Sequence, residues 1–178
     1  MSFPSFNAGE VLTAADMNAV GLWLVSTTTI GTGVTSVPVN NCFSSNYQNY
    51  RVVISGMNAS ATGNSAFIVL QGSLGATYFG GGYFMTYGST VVNGATFNGV
   101  ALGLWAGITG TGFTATMDIT RPNLATPTGM VGLSSGSQNT NSYQTYDSNA
   151  VAQTGFNFVQ VGGPTMTGGV IRVYGYRN

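Results

Sequence analysis

The sequence predicts an all-β protein, an antiparallel β-sandwich or jelly roll that follows a short N-terminal segment. The 178 residues are 43% hydrophobic and 12% aromatic, only 4% are charged, and 27 are glycines. Aromatic and β-branched residues fill pleated, half-buried surfaces, while glycine supplies turns and bulges between strands. Disordered chains combine low hydrophobicity with high net charge, and this chain has neither property. Its length suits one ordinary domain with a real core.

Short apolar segments with the two-residue period of strands recur from Leu22 onward. Turn signals separate them at short intervals, as in the Asn-Gly pairs at 93–94 and 98–99 and the Gly-Thr-Gly at 110–112. Strands spaced in this way are typical of sandwiches and jelly rolls. The predicted strands cover residues 22–30, 34–39, 50–55, 66–71, 90–97, 100–108, 113–120, 129–134, 156–161 and 170–176.

Residues 1–21 are predicted to form a docking segment, and residues 22–178 the sandwich. Thr13 and Asp16 stand in the spacing of a capping box and Gly21 supplies a stop, which predicts a helix of about two turns. A helix so short is marginal alone in water, so we expect it to form by docking on a partner. The residues before it are predicted to be an extended arm. The apolar side chains expected to dock are Phe3, Phe6, Val11, Leu12 and Met17.

Two stretches depart from the strand pattern, residues 78–87 and 134–149. In the first, three consecutive glycines lie between pairs of aromatic residues, and the second is a polar run that contains tyrosines. Two interpretations stay open for them: loops that present aromatic side chains, or ordinary strand aromatics followed by a plain loop. Sugars stack on exposed tyrosines, so these loops are candidates for glycan recognition. The tyrosines expected to contact a receptor are Tyr83, Tyr87, Tyr143 and Tyr146.

The near absence of charge predicts a surface that neighbouring subunits partly cover. The chain has four arginines, four carboxylates, no lysine and no histidine, and its formal net charge is zero. A monomer ordinarily carries scattered charges that discourage association. Arg172 and Arg177 are expected to pair with Asp118 or Asp147 or with a neighbouring chain, the alternative being a solvated pair at the end of a strand. Four arginines do not supply a nucleic-acid-binding patch.

The one cysteine, Cys42, cannot form an internal disulfide, which fits folding in a reducing cytoplasm. We expect it to be a small buried hydrophobic residue. The sequence shows no signal-peptide pattern and no apolar run of about 20 residues, so neither secretion by signal peptide nor membrane insertion is expected.

The residues that would support catalysis are missing or scattered, so we expect no enzyme, no cofactor and no metal. Residues 132–136, GLSSG, match a nucleophile-elbow pattern, but the chain lacks the histidine or lysine that would activate the serine. The glycine-rich 107–112 lacks the lysine of a phosphate-binding loop. Glycoside cleavage would need two carboxylates, for which Asp118 and Asp147 would have to meet in space. The chain lacks the histidines and the several cysteines of a zinc site, and it lacks the clustered aspartates of a calcium loop.

Three segments resemble parts of bacteriophage virion structural proteins. Residues 6–18, FNAGEVLTAADMN, resemble a segment near the N-terminus of many tail and minor structural proteins. Residues 43–54, FSSNYQNYRVVI, and 170–177, VIRVYGYR, look like an inner segment and the closing strand of phage β-sandwich domains.

The resemblance implies a virion protein with a jelly-roll-like sandwich. Such a protein would assemble in the host cytoplasm and form a homotrimer. Its expected partners are copies of itself and other virion proteins that hold the N-terminal arm. The expected position is a tail fibre or baseplate. A capsid decoration or head-fibre protein and a glycan-binding receptor-recognition module are the alternatives.

Overall fold

The computed structural model describes residues 21–73, 77–100 and 103–176. These residues form strands and no helix, and among them nothing has the helical length and apolarity that a membrane span requires. The strands are β1 (Leu22–Thr29), β2 (Thr32–Val34), β3 (Ser36–Val39), β4 (Asn49–Ala59), β5 (Asn64–Leu70), β6 (Tyr78–Thr86), β7 (Val92–Val100), β8 (Leu104–Thr109), β9 (Phe113–Thr120), β10 (Thr128–Ser135), β11 (Asn139–Asp147), β12 (Phe156–Gln160), β13 (Met166–Thr167) and β14 (Val170–Tyr176).

The strands form two antiparallel sheets, which confirms the prediction of an all-β, antiparallel fold. The larger is a ten-stranded sheet with the order β1-β14-β4-β9-β10-β11-β6-β7, and β13 and β2 are attached beside β4. The smaller has the order β3-β12-β5-β8. Strand β8 packs across β9, β10, β11 and β6 of the larger sheet, so the two sheets lie face to face in a sandwich-like arrangement.

Aromatic pairs join the two sheets in the core. Phe113 of β9 stacks on Phe158 of β12 with ring centroids 6.2 Å apart, and Trp105 of β8 meets Tyr143 of β11 edge-on at 5.8 Å. All four side chains are buried. Such pairs contribute about 0.5–1.5 kcal/mol each beyond the area they bury. The core therefore lies between the sheets, and the opposite side of the larger sheet is left without a second layer among the described residues.

Two predictions about local structure were wrong. The loop interpretation of residues 78–87 and 134–149 is wrong, because both consist mostly of strands, β6 and β11, and the aromatic residues of 78–84 are ordinary strand aromatics, as the other interpretation has it. The glycines of β6 hide its two-residue period, and β11 buries polar residues where a strand normally buries apolar ones. The Asn-Gly pairs at 93–94 and 98–99, predicted to be turns, lie inside β7. The Gly-Thr-Gly turn at 110–112 is confirmed between β8 and β9.

Each of the ten strands predicted from the sequence overlaps an observed strand. The prediction for Cys42 is also confirmed, because its thiol is fully buried and burial raises its pKa to about 12. The predicted N-terminal arm and helix lie outside the described residues, apart from Gly21.

Candidate binding face

The solvent-facing side of the larger sheet, here called the outer face, carries exposed apolar side chains on β1 at one side and on β10, β11, β6 and β7 at the other. Residues paired across strands point to the same side of a sheet, so the register assigns each one to a face. Leu24, for example, is linked through Tyr174, Arg51 and Asp118 to Val131. The exposed apolar side chains of this face are Leu22, Leu24, Tyr83, Met85, Val92, Val131, Leu133 and Tyr146.

An ion pair lies near the centre of the outer face. Arg51 of β4 donates two hydrogen bonds to Asp118 of β9, from Nε to Oδ1 and from Nη2 to Oδ2, each 2.8 Å long. The Tyr176 hydroxyl donates to Asp118 Oδ1 at 2.5 Å, and the guanidinium of Arg51 lies 5.5 Å from the Tyr176 ring centroid. This is the one salt bridge recorded in the described part of the chain.

The contacts around the ion pair shift the pKa values of Asp118 and Tyr176. Hydrogen bonds from Arg51 hold the pKa of Asp118 below its ordinary value of 3.8. Burial, followed by the hydrogen bond to Asp118, raises the pKa of Tyr176 to about 12. Both shifts keep the three groups in the state seen here, an ionised carboxylate, a cationic guanidinium and a neutral phenol, across the neutral pH range.

The expected pairing of Arg172 with Asp118 is wrong. Asp118 pairs with Arg51 on the neighbouring strand rather than with Arg172. Arg172 instead donates a hydrogen bond to the Ser55 hydroxyl, 3.3 Å away. Arg177 lies outside the described residues.

The four predicted receptor tyrosines are divided between three places. Tyr83 and Tyr146 lie on the outer face, with 67% and 45% of their surface exposed, and Tyr146 stacks on Phe79 with centroids 5.3 Å apart. Tyr143 is 1% exposed and points into the core, so its ring cannot meet a receptor. Tyr87 follows β6 and is 88% exposed.

Two clefts lie side by side on the outer face, the first over β11, β6 and β7 and the second over β9, β10, β11 and β6. The first, of about 410 Å³, has the three glycines of β6 in its lining together with Tyr83, Gln144 and Thr96. The second, of about 560 Å³, is lined by residues that include Tyr146, Val131 and again Gln144. No charged side chain lines either cleft. Tyr87 belongs to neither; it borders a separate hollow of about 130 Å³.

Close packing explains why β6 is rich in glycine beneath these clefts. A Cβ at Gly82 would approach the Trp105 ring to 2.7 Å and the Tyr143 Cβ to 2.8 Å, distances that real Cβ atoms essentially never show. The bulky inner side chains of β8 and β11 therefore require a strand without side chains at this point.

The two carboxylates considered for glycoside cleavage do not meet. Asp118 is part of the outer face, whereas Asp147 is fully buried on the opposite side of the sheet, where it accepts a hydrogen bond from the Asn149 backbone at 3.0 Å. Ser134, the serine of the GLSSG match, is buried inside β10 and accepts a hydrogen bond from the Asn141 side chain at 3.1 Å. A nucleophile elbow is a sharp strand-to-helix turn, and this serine is not on one.

Within the described ranges no group of three or more His, Cys, Asp or Glu side chains is placed to hold a metal ion. The predicted docking residues Phe3, Phe6, Val11, Leu12 and Met17 lie outside those ranges.

Comparison of the chain with protein-family models, with curated proteins and with solved structures finds no match.

Sequence reasoning did not find the aliphatic part of the outer face or the Arg51–Asp118 pair. The alternation of Val131 and Leu133 in β10 was a usable signal, because a strand with apolar residues on both sides is covered on both sides in most proteins. The ion pair joins residues on strands that are far apart in sequence, and no local pattern indicates that they are neighbours.

Proposed function

We propose that this chain is a structural subunit of a bacteriophage particle, an appendage protein of tail-fibre or baseplate type that assembles with copies of itself. The expected oligomer is a homotrimer and the expected location is the virion. The observation that carries the proposal is the outer face, which exposes eight apolar side chains on a chain almost devoid of charge. The resemblance of three segments to phage virion proteins adds the class of particle, and the jelly-roll-like connectivity is part of the same proposal.

The self-associating region is the part of the outer face that runs from β1 to β10. Four exposed aliphatic side chains mark its two sides: Leu22, Leu24, Val131 and Leu133. Complete burial of such a side chain contributes about 1.5–3 kcal/mol, and roughly half of that remains to be gained here because each is already partly covered. Association itself costs at least about 4 kcal/mol. These four residues therefore support assembly together with the aromatic and hydroxyl side chains around them, rather than alone.

The ion pair in the middle of this region is compatible with burial in an interface. Covering an unpaired charge is costly, but Asp118 is already neutralised by two hydrogen bonds from Arg51 and a third from Tyr176. Arg172 has no carboxylate partner among the described residues. It lies on β14, between β1 and β4, so an interface over this region has to leave it within reach of water or of a carboxylate of the neighbouring chain.

The N-terminal arm is proposed to attach the assembled subunits to other virion proteins. Each of its large apolar side chains contributes on the order of 1.5–3 kcal/mol when buried. An oligomer presents several arms at once, and multivalent attachment strengthens binding without any new kind of contact. The sandwich builds the oligomer and the arms hold it on the particle.

Deletion of Met1–Gly21 tests the anchoring role in phage particles complemented with the altered gene. We expect the shortened protein to fold, as measured by circular dichroism, and to be missing from purified particles. A full-length variant with Phe3→Ser and Phe6→Ser is expected to be depleted in the same way, and Val91→Lys serves as a control with the arm intact. Normal incorporation of the shortened protein would contradict the proposal. Separation of heads from tails decides between a tail appendage and the alternative, a capsid decoration or head-fibre protein.

A second candidate function, recognition of a host-surface glycan, is favoured by a different observation. The two clefts combine exposed tyrosine rings with neutral polar side chains. An appendage subunit can carry out both functions if its sandwich assembles through the β1 to β10 region and leaves Gln144 and Tyr146 of β11 uncovered; Val131, which also lines the second cleft, lies where the two regions meet.

A further inference from the structure

The geometry points to a specific site for a neutral oligosaccharide, the pair of clefts on either side of Gln144. This inference rests on the proposed glycan-recognition function and deepens it by naming the site and the class of sugar. Both clefts have Gln144 and Gly80 in their lining, so they are adjoining parts of one shallow channel.

Aromatic rings stand at the two ends of this channel. Tyr83 borders the first cleft and Tyr146 the second. Tyr146 stacks on Phe79, which lies four residues before Tyr83 on β6, so the two tyrosines are about 13 Å apart along the strand direction. A pyranose ring has one face of C–H groups that packs on an aromatic ring. An oligosaccharide of a few residues spans this separation and can stack on both tyrosines.

Hydrogen-bonding groups lie between the two rings. The Gln144 side chain is exposed at the middle of the channel and its amide both donates and accepts hydrogen bonds. Ser142 and Thr96 add exposed hydroxyl-bearing side chains to the first cleft. Sugar hydroxyls also donate and accept, so this set matches the polar edges of a sugar whose apolar face lies on tyrosine.

The absence of charge in the lining indicates an uncharged ligand. None of the residues that line either cleft is Asp, Glu, Lys or Arg. An acidic sugar such as a sialic or uronic acid would leave its carboxylate without a cationic partner in the channel. Neutral hexoses and N-acetylhexosamines have no such requirement.

The shape of the surface favours a sugar over a second copy of the chain. Gly81, the residue of β6 that faces outward between Phe79 and Tyr83, has no side chain, so the sheet is hollow between Tyr83 and Tyr146. The flat side of another sheet would not fill this hollow, whereas the edge of a sugar ring can enter it.

The test measures binding of neutral oligosaccharides to the full chain by saturation-transfer NMR and on a glycan array, with acidic glycans included for comparison. We expect at least one neutral oligosaccharide to bind. Tyr83→Ala and Gln144→Ala are each expected to weaken that binding about tenfold, the effect of losing one stacking or hydrogen-bonding contact. Tyr87→Ala removes an even more exposed ring that lines neither cleft and should change binding less than about twofold.

Three results would overturn the inference: no neutral sugar bound, binding confined to acidic glycans, or binding that is insensitive to Tyr83→Ala and Gln144→Ala. A change in the solution mass of Tyr83→Ala would also overturn it, because the channel would then belong to a subunit interface. Incorporation of the same variants into phage particles is measured separately. A parent protein that joins particles normally but binds no neutral sugar refutes this inference alone, whereas a parent protein that binds a neutral sugar but never joins particles refutes the structural proposal.

Discussion

The inner and outer faces of the larger sheet are built from the same strands but differ in how far their apolar side chains are buried. On β9 the inward side chains of Met117 and Ile119 are almost completely buried. The outward residues that alternate with the inward ones along this strand are exposed or half-buried. On β10 the inward Met130 is 3% exposed and the outward Leu133 is 63% exposed. The inner apolar residues are required by the core. The outer ones are not required by the fold of a single chain, and this difference is the main reason to assign them to assembly.

Truncation of one apolar residue on each face should show the largest difference. Ile119→Ala leaves a cavity between the sheets and is expected to lower the free energy of unfolding by about 2–5 kcal/mol. Leu133→Ala removes an exposed side chain and should change it by no more than about 0.5 kcal/mol. Both values are measured by urea denaturation at a protein concentration low enough to separate subunits. Equal losses for the two variants would mean that the outer face is part of the folded core.

Two glycines at the β6–β7 edge, Gly82 and Gly94, allow a second comparison of the stability contributions of the inner and outer faces. Gly82→Ala places a methyl group against Trp105 and Tyr143 on the inner side, and we expect a loss of about 1–3 kcal/mol or more. Gly94→Ala places one beside the Tyr83 ring at 3.8 Å, an ordinary contact, and should stay within about 0.5 kcal/mol of the parent protein. A harmless Gly82→Ala would show that the core is not packed tightly under the clefts.

The ion pair should produce the smallest effect, visible in acid. Because the pKa of Asp118 is lowered in the folded state, its stabilising contribution is complete above about pH 4 and is lost as the pH falls through the lowered value. Its side chain is 34% exposed, so water screens the pair and about 0.5–1 kcal/mol is expected.

Thermal unfolding between pH 7 and pH 2 measures this contribution. Asp118→Asn and Arg51→Gln should both flatten the decline in stability below pH 4, while Arg172→Gln, whose arginine has no carboxylate partner among the described residues, should keep it. An identical acid profile for the parent and Asp118→Asn would show that the pair does not contribute to stability.

Much of the fold could be predicted from the sequence because local patterns determine it. Strands β9 and β14 fall where the two-residue period predicts them, since their inward residues are apolar and their outward residues are largely polar. Strand β11 was missed for the opposite reason. It buries Asn141, Thr145 and Asp147, so its sequence resembles a polar loop.

The candidate site could be predicted only in part. The sequence predicts Tyr83 and Tyr146 as receptor contacts because they are aromatic residues in glycine-rich or polar surroundings. Their position on one face depends on the register in which Tyr83 pairs with Ser142 and Tyr146 with Phe79, and pairing between distant strands leaves no local signal. The same limit explains why Tyr143, three residues before Tyr146, was wrongly expected to be accessible.

The solution mass of the full chain tests most directly whether the outer face is an assembly surface. Light scattering coupled to size exclusion should give a multiple of 18.3 kDa for the parent protein, with three chains as the expected number. Leu133→Lys should shift the mass toward a single chain, and Val91→Lys, a similarly exposed valine away from the β1 to β10 region, should leave it unchanged. A parent protein that remains a single 18.3 kDa chain at all concentrations would contradict the account.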